Sequence, residues 1–353
     1  MGYVLLCFLL VLCRAGGMGP GTAPAQAATS AELQRLAAGF PVSDKMSAGS
    51  VRMYELDLLA GQHARIAILK GDLILKVAIY APEGPLCLEM TGRRYGSLDL
   101  SFTSAVSAIH RLEIRSLEED ATERAYELRL VEVTTATPRH RMADQAACVA
   151  AEAERLREQH SASSQLAALS KYSEAQRLWE AAGELTRAAE AFANMGDICF
   201  ALSRYHQALT QYGNSLLLSE RSADRPAQLV ALNGIGYTHI YLGNNQDALR
   251  YAKRVLGMIG RLRPGERAAA TYRRAEAQAL NNVGEVYYSF GELRKSVEMF
   301  DRALAMWTDI GERRGEALAR LNLGYSYNDL GDLQNASEHF RRSLALWQVL
   351  DDE

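Results

Sequence analysis

Ala193-Asn-Met-Gly-Asp-Ile-Cys199, Asn233-Gly-Ile-Gly-Tyr-Thr-His239, Asn281-Asn-Val-Gly-Glu-Val-Tyr287 and Leu321-Asn-Leu-Gly-Tyr-Ser-Tyr327 align without gaps. Their anchor glycines, Gly196, Gly236, Gly284 and Gly324, are 40, 48 and 40 residues apart. Self-similarity at such a period marks a repeat architecture. Seven residues after the anchors come Ser203, Gly243, Gly291 and Gly331, and twelve after come Ala208, Ala248, Ser296 and Ala336. Sixteen after the anchors come Tyr212, Ala252, Phe300 and Phe340. The anchor and the later Ala or Ser are small, as needed where two antiparallel helices cross closely. The second glycine suits the left-handed residue that ends a helix. The aromatic is expected to plug the gap to the next hairpin. One hairpin cannot bury its apolar face alone, and stacked neighbours make a continuous core.

Working outward, apolar residues three and four apart run from Met142 to the end of the chain, which predicts helices. This pattern resembles the tetratricopeptide repeat in its longer form, over residues 161–353. Ala168, Tyr172 and Trp179 are spaced as Ser296, Phe300 and Trp307. They predict a degenerate leading hairpin, whose first helix, about 144–159, lacks the anchor glycine. The interval of 48 holds an insertion near Arg261 to Arg274, with five arginines: Arg261, Arg263, Arg267, Arg273 and Arg274. It reads as a solvated loop and helix face, or alternatively as a docking point for an acidic partner. After Trp347 no polar capping helix follows, so either the chain is a fragment of a longer one or another chain covers that face, self-association through the last repeat being one such case.

In arrays of the resembled family the first helix of each hairpin lines a concave groove. Asn194, Asn282 and Asn322 stand two residues before their anchors, and Asn233 stands three before its own. One amide per repeat makes a ladder able to hold the backbone of an extended peptide without reading its sequence; the competing reading is that these amides bond within or between helices. Tyr237, Glu285, Tyr288, Tyr325 and Asn328 are expected on the same face, supplying selectivity. Gln278 and Leu318 occupy the places where a clamp for a C-terminal carboxylate needs Lys or Arg, which argues against that ligand. His239 lies on a first helix and reads more simply as structural.

Upstream the period changes. Val51 to Leu58 alternates apolar and polar residues, and Ala64–Leu69, Leu73–Tyr80, Leu98–Phe102, Ile109–Ile114 and Tyr126–Val133 continue as β-rich segments. Turn signals at Ala60-Gly61-Gln62, Gly71-Asp72, Pro82-Glu83-Gly84 and Gly92 separate them, predicting a small antiparallel sandwich over 45–135. Tyr54 to Gln62, followed by an Arg-Ile-x-Ile-Leu strand and by Gly71 to Gly84, resembles the bacterial pre-peptidase C-terminal-type β-sandwich. Where that family carries Ser-Gly-x-Tyr, this chain reads Ser107-Ala-Ile-His110. Asp72 stands without an acidic cluster and reads as a turn residue rather than a calcium ligand.

The chain has 353 residues, is 48% apolar and 23% charged, and carries a formal net charge of -3. No basic stripe points to nucleic acid. Tyr3 to Cys13 is an unbroken apolar run, and Ala25-Gln26-Ala27 is a small-x-small cleavage site. Residues 1–27 are therefore read as a signal peptide, cleaved on export to the periplasm, cell surface or medium. No basic residue precedes the run, and the alternative is an uncleaved N-terminal anchor. Cys87, Cys148 and Cys199, which remain in a cleaved chain, form no disulfide framework or metal spacing. Residues 28–44 are read as a linker with one short helix at Ala31–Phe40, and 136–160 as a linker and capping helix.

No nucleophile elbow, zinc-binding helix or phosphate loop is present in the sequence, and the seven histidines are scattered. No catalytic residue, metal ligand or cofactor is expected. The fold class is multidomain: a small antiparallel β-sandwich, then an all-α solenoid of helical hairpins. The expected function is a non-catalytic scaffold that binds a protein or extended peptide. An exported β-sandwich before 40-residue repeats also resembles the N-terminal arm of bacterial CHAT-type, caspase-like proteases. That implies a regulatory arm whose catalytic domain lies beyond residue 353; an envelope-associated assembly module is the third expectation.

Overall fold

Alternating side chains in the N-terminal third can bury only one face of each strand, so two sheets must close on each other. The computed structural model describes residues 33–70, 73–81, 86–91, 97–117 and 123–352. The expected turns at Gly71-Asp72, Pro82–Gly84 and Gly92, and the expected signal peptide, lie outside the described residues. The strands are β1 (Gln34–Arg35), β2 (Val42–Met46), β3 (Val51–Leu58), β4 (Gln62–Leu69), β5 (Leu75–Tyr80), β6 (Leu86–Thr91), β7 (Ser97–Thr103), β8 (Ala108–Ser116) and β9 (Arg124–Thr135). One sheet has the order β1-β3-β8-β5-β6, and the other β2-β9-β4-β7. Leu56, Leu58, Ile66, Ile68, Val77, Ile79, Leu112, Ile114 and Leu128 fill the space between them.

The short helix expected at Ala31–Phe40 is not formed by its described residues, Leu33–Phe40. Gln34 and Arg35 pair in parallel with Tyr54 and Glu55, the one parallel pairing among the described residues. The Leu36 amide donates to the Glu55 carbonyl at 2.8 Å, Leu36 is buried, and Gly39 turns the chain at φ +84°. Burial of Leu36 against the sheet outweighs the weak helical propensity of a ten-residue segment. The sheets thus begin at Gln34, ahead of residue 45.

Thr137 caps the first helix with a reciprocal capping box, and Pro138 occupies its first turn. The helices are α1 (Pro138–Arg157), α2 (Ala162–Ala182), α3 (Leu185–Ala201), α4 (Tyr205–Arg221), α5 (Arg225–Tyr241), α6 (Asn245–Gly260), α7 (Pro264–Arg267), α8 (Ala270–Ser289), α9 (Leu293–Asp309), α10 (Arg313–Asp329) and α11 (Leu333–Asp352). They pair as α1/α2, α3/α4, α5/α6, α8/α9 and α10/α11. Ser203, Gly243, Gly291 and Gly331 end the first helices of the four aligned hairpins at φ +58°, +74°, +73° and +83°. The left-handed turn expected there is present even where the residue is Ser.

Three anchor glycines meet the aromatic of their own hairpin. A Cβ on Gly196 would lie 2.6 Å from the Tyr212 ring, on Gly284 2.6 Å from Phe300, and on Gly324 2.5 Å from Phe340. Tyr212 also faces Gly234 on the following hairpin, where a Cβ would again lie 2.6 Å away. The aromatic is therefore first a wedge within its hairpin, and Tyr212 also fills toward the next.

The sandwich and the array are joined by contacts as well as by chain. The His63 ring on β4 stacks on His140 of α1 with centroids 4.0 Å apart, and His63 Nδ1 lies 3.6 Å from Asp144. Arg187 on α3 donates to the Asp99 carbonyl at 2.8 Å, and Ala147 packs against the sandwich core.

Candidate partner-binding groove

The first helices α3, α5, α8 and α10 touch one another in succession, while the second helices do not pack on each other to a like degree. Closer spacing on one side makes that side concave, so the first helices line the groove. Positions one, four and five residues after each anchor share its exposed face.

The structure divides the sequence-predicted set. Asn233 and Asn282 do not face the groove. Asn233 is 6% exposed and donates through Nδ2 to the Ala275 carbonyl at 3.0 Å. Asn282 is fully buried; it donates to the Asn233 carbonyl at 3.2 Å and accepts from Gln278 at 3.2 Å. These two amides stitch α5 to α8. The reason is local: Ala252 replaces the wedge aromatic in this hairpin, so α8 comes close, and a Cβ on Gly236 would lie 3.5 Å from Asn282 Nδ2. Asn194 is half-buried on α3. Asn322 is half-buried on α10, and its Nδ2 donates to Glu285 Oε1 at 3.3 Å. The four amides do not form one ladder.

The remaining residues lie along the first helices, Tyr325 and Asn328 exposed and Tyr237, Glu285 and Tyr288 half-buried. Tyr237 and Tyr241 on α5 bring their hydroxyls to 3.1 Å. The Phe200 ring of α3 lies 5.0 Å from Tyr237 and 4.9 Å from Tyr241, and Tyr205 of α4 completes a four-ring cluster at 5.4 Å from Phe200. Tyr241 is 47% exposed. Burial pushes the Tyr237 phenol above its ordinary pKa, with the nearby Glu285 and Tyr241 adding to it.

Glu285 sits next along the face, half-buried. Loss of solvation pushes its carboxyl up to about 7, opposed by the hydrogen bond from Asn322. Tyr288 donates to Asp329 of α10 at 2.6 Å, and Asn328 donates to the same carboxylate at 3.3 Å. Tyr325 is exposed and packs edge-on to Phe340. Asn328, Leu333, Ala336, Phe340 and Leu344 line a shallow concavity of about 460 Å³ at the last hairpin.

Sequence reasoning missed Phe200, Tyr205, Tyr241 and Asp329. The repeat register held the signal for part of them: Phe200 stands four residues after its anchor, as Tyr288 does, and Tyr241 and Asp329 each stand five after theirs. Tyr205, from a second helix, was visible only in three dimensions. Four of the five insertion arginines are engaged within the chain. Arg263 pairs with Glu266 at 2.9 Å and Arg274 with Glu312 at 3.5 Å, while Arg267 pairs with Glu276 and Arg273 with Asp309. This favours the solvated-face reading of that segment. His239 stacks on Tyr251 inside its own hairpin, and burial lowers its pKa. His110 is buried, within 3.1 Å of Ser104 Oγ and of the Ala108 carbonyl.

Helical hairpins stacked with left-handed glycines between their helices define a protein of the helical-repeat class. Residues 187–259 and 275–348 match the sequence model of the tetratricopeptide repeat family. The fold is thus a two-sheet β-sandwich followed by a solenoid of tetratricopeptide-like helical repeats. Among solved structures, it is similar to BtubC (BKLC) from P. vanneervenii at 20% identity, over 62% of this chain and 94% of that one, with a TM-score of 0.39. MamA from Desulfovibrio magneticus RS-1 is similar at 21% identity, over 60% and 99%, with a TM-score of 0.39. The Rap conjugation gene regulator of plasmid pLS20, solved with the Phr* peptide, is similar at 15% identity, over 60% and 56%, with a TM-score of 0.49. No curated protein matches the chain.

Proposed function

We propose that this protein is an interaction scaffold that holds an extended segment of a partner along the concave face of α3, α5, α8 and α10. The observation that carries the reading is the cluster of half-buried Phe200, Tyr205 and Tyr237 with exposed Tyr241 at the start of that face. Rigid aromatic rings with polar tips give large contact area at little entropic cost, and such residues dominate binding energy at interfaces. Polar groups of Tyr288, Asn322, Asn328 and Asp329 continue the face beyond them.

The test uses the purified full chain and an array of short extended peptides. Tyr241→Ala is expected to weaken the bound peptides about tenfold, in line with the usual cost of truncating an interface aromatic. Unchanged binding by Tyr241→Ala and Tyr237→Ala together would show that the groove is not the site. Leu333 and Leu344, 67% and 59% exposed, offer a second use as a self-association surface. Concentration-dependent sedimentation that Leu344→Asp abolishes supports that use.

The setting is part of the proposal. An exported chain with this architecture fits the sensing arm of a CHAT-type protease or an envelope-associated assembly module. The intact mass of the native product decides between a free-standing scaffold and an arm. A cleaved product near 36 kDa, the 38.9 kDa chain less a 27-residue signal at about 0.11 kDa per residue, supports the first.

A further inference from the structure

Several acids elsewhere on the helical array pair with nearby cations. Glu220 bonds Arg254 at 2.7 Å, Asp247 bonds Arg250 at 2.9 Å, and Glu316 bonds Arg320 at 2.7 Å. The two acids of the groove's central and C-terminal part differ. Glu285 on α8 receives one amide hydrogen bond, from Asn322 at 3.3 Å, and no cation lies within ion-pair distance among the described residues. Asp329 on α10 receives the Tyr288 phenol at 2.6 Å and the Asn328 amide, and likewise has no cationic partner among them. Desolvation without a cation is what pushes the Glu285 carboxyl up to about 7. A half-buried carboxyl that the fold leaves without a counter-charge is costly, and removing water from it again without pairing costs more.

The flanking chemistry points the same way. Tyr237 lies within electrostatic reach of Glu285 and belongs to the aromatic cluster, its ring 5.0 Å from Phe200. Aromatic faces beside a carboxylate attract a guanidinium or ammonium through the ring quadrupole, and they accept the apolar stem of a long cationic side chain.

We propose that the segment held in the groove carries a Lys or Arg that seats on Glu285, next to an apolar or aromatic residue that packs on the Phe200–Tyr241 cluster. Asp329, one repeat further on, takes a second basic residue. This rests on the groove reading above and adds the charge of its occupant. The pairing supplies a counter-charge that the described residues do not, so selectivity comes from an acid held in the free protein by the Asn322 amide rather than by a cation. An acidic segment is rejected because it would bring like charge to Glu285 and Asp329.

The test measures fluorescence anisotropy with the full chain and labelled peptides identical except for Lys, Arg, Glu or Leu beside one Phe. The Lys and Arg peptides are expected to bind at least about tenfold more tightly than the Glu peptide, with affinity falling as salt rises. Glu285→Gln, which keeps the shape of the side chain, is expected to remove most of that preference and to leave the Leu peptide within about twofold. Asp329→Asn is expected to give a smaller loss. A preference for the Glu peptide, or a basic preference that Glu285→Gln leaves intact, overturns the inference. Binding without charge preference that Tyr241→Ala still weakens also overturns it, while the groove reading stands. Absence of binding by every peptide overturns both.

Discussion

The hairpins anchored at Gly236 and Gly284 carry the same glycine in the same register for different physical reasons. At Gly284 the residue sixteen positions on is Phe300, fully buried, and its ring occupies the space a Cβ would need. At Gly236 that residue is Ala252, and the nearest atoms to a Cβ are Tyr251 Cβ at 3.4 Å and Asn282 Nδ2 at 3.5 Å, ordinary contact distances. One hairpin is closed by an aromatic wedge from within. The other lets the next helix approach, and amides from Asn233 and Asn282 hold it there. A repeat motif therefore states where helices must be close, and the neighbours decide what fills the contact.

Substitutions break this comparison in graded steps. Gly284→Ala drives a methyl into a ring with no room to move and is expected to destabilise the chain by about 2–4 kcal/mol, read by urea unfolding. A loss below about 1 kcal/mol would show that Phe300 can turn aside. Glu285→Gln, one residue away, is expected to stabilise. Its carboxyl titrates near 7 in the folded chain and near 4.3 when unfolded. The folded state holds the extra proton between those values, so this group favours folding at low pH and that contribution is lost as pH rises through about 7. The Gln variant is expected to gain roughly 1–3 kcal/mol at pH 8 and to flatten stability between about pH 4 and 7. A parallel pH curve for both chains would place the titration elsewhere.

Asn282→Ala removes the donor to the Asn233 carbonyl and is expected to cost about 1–2 kcal/mol. Adding Asn233→Ala to it should cost less than the two losses taken separately, because both amides stitch the same pair of helices. Strict additivity in the double-mutant cycle would mean that the two act independently. The smallest effect is at the other anchor: Gly236→Ala is expected to be neutral or to stabilise by about 0.5–1 kcal/mol, from the helix-propensity gain of Ala over Gly. A loss as large as that of Gly284→Ala would erase the distinction between the two hairpins.

The groove was legible in part. Tyr237, Glu285, Tyr288, Tyr325 and Asn328 were placed on the exposed face by their offsets from the anchors, because a helix fixes which residues share a side. Asn233 and Asn282 were assigned to that face by the same offsets and are buried instead. The missing aromatic at Ala252 let α8 close over them, and nothing in a single repeat shows how near its neighbour will come. In the sandwich, β3, β4, β5, β7, β8 and β9 follow expected segments because alternation is a local signal. β1 and β2 carry too few alternating residues to announce themselves, and β1 exists only because β3 offers a free edge.

The sequence by itself determined the repeat, its register, the left-handed turns at Gly243, Gly291 and Gly331, and the change from period 2 to a helical period, since each depends on residues close in the chain. Tertiary structure alone decided that four of the five insertion arginines pair within the chain, that two of four asparagines are internal stitches, and that Glu285 meets no cation among the described residues. Those outcomes depend on the distance between helices from different repeats, which packing sets and local periodicity does not.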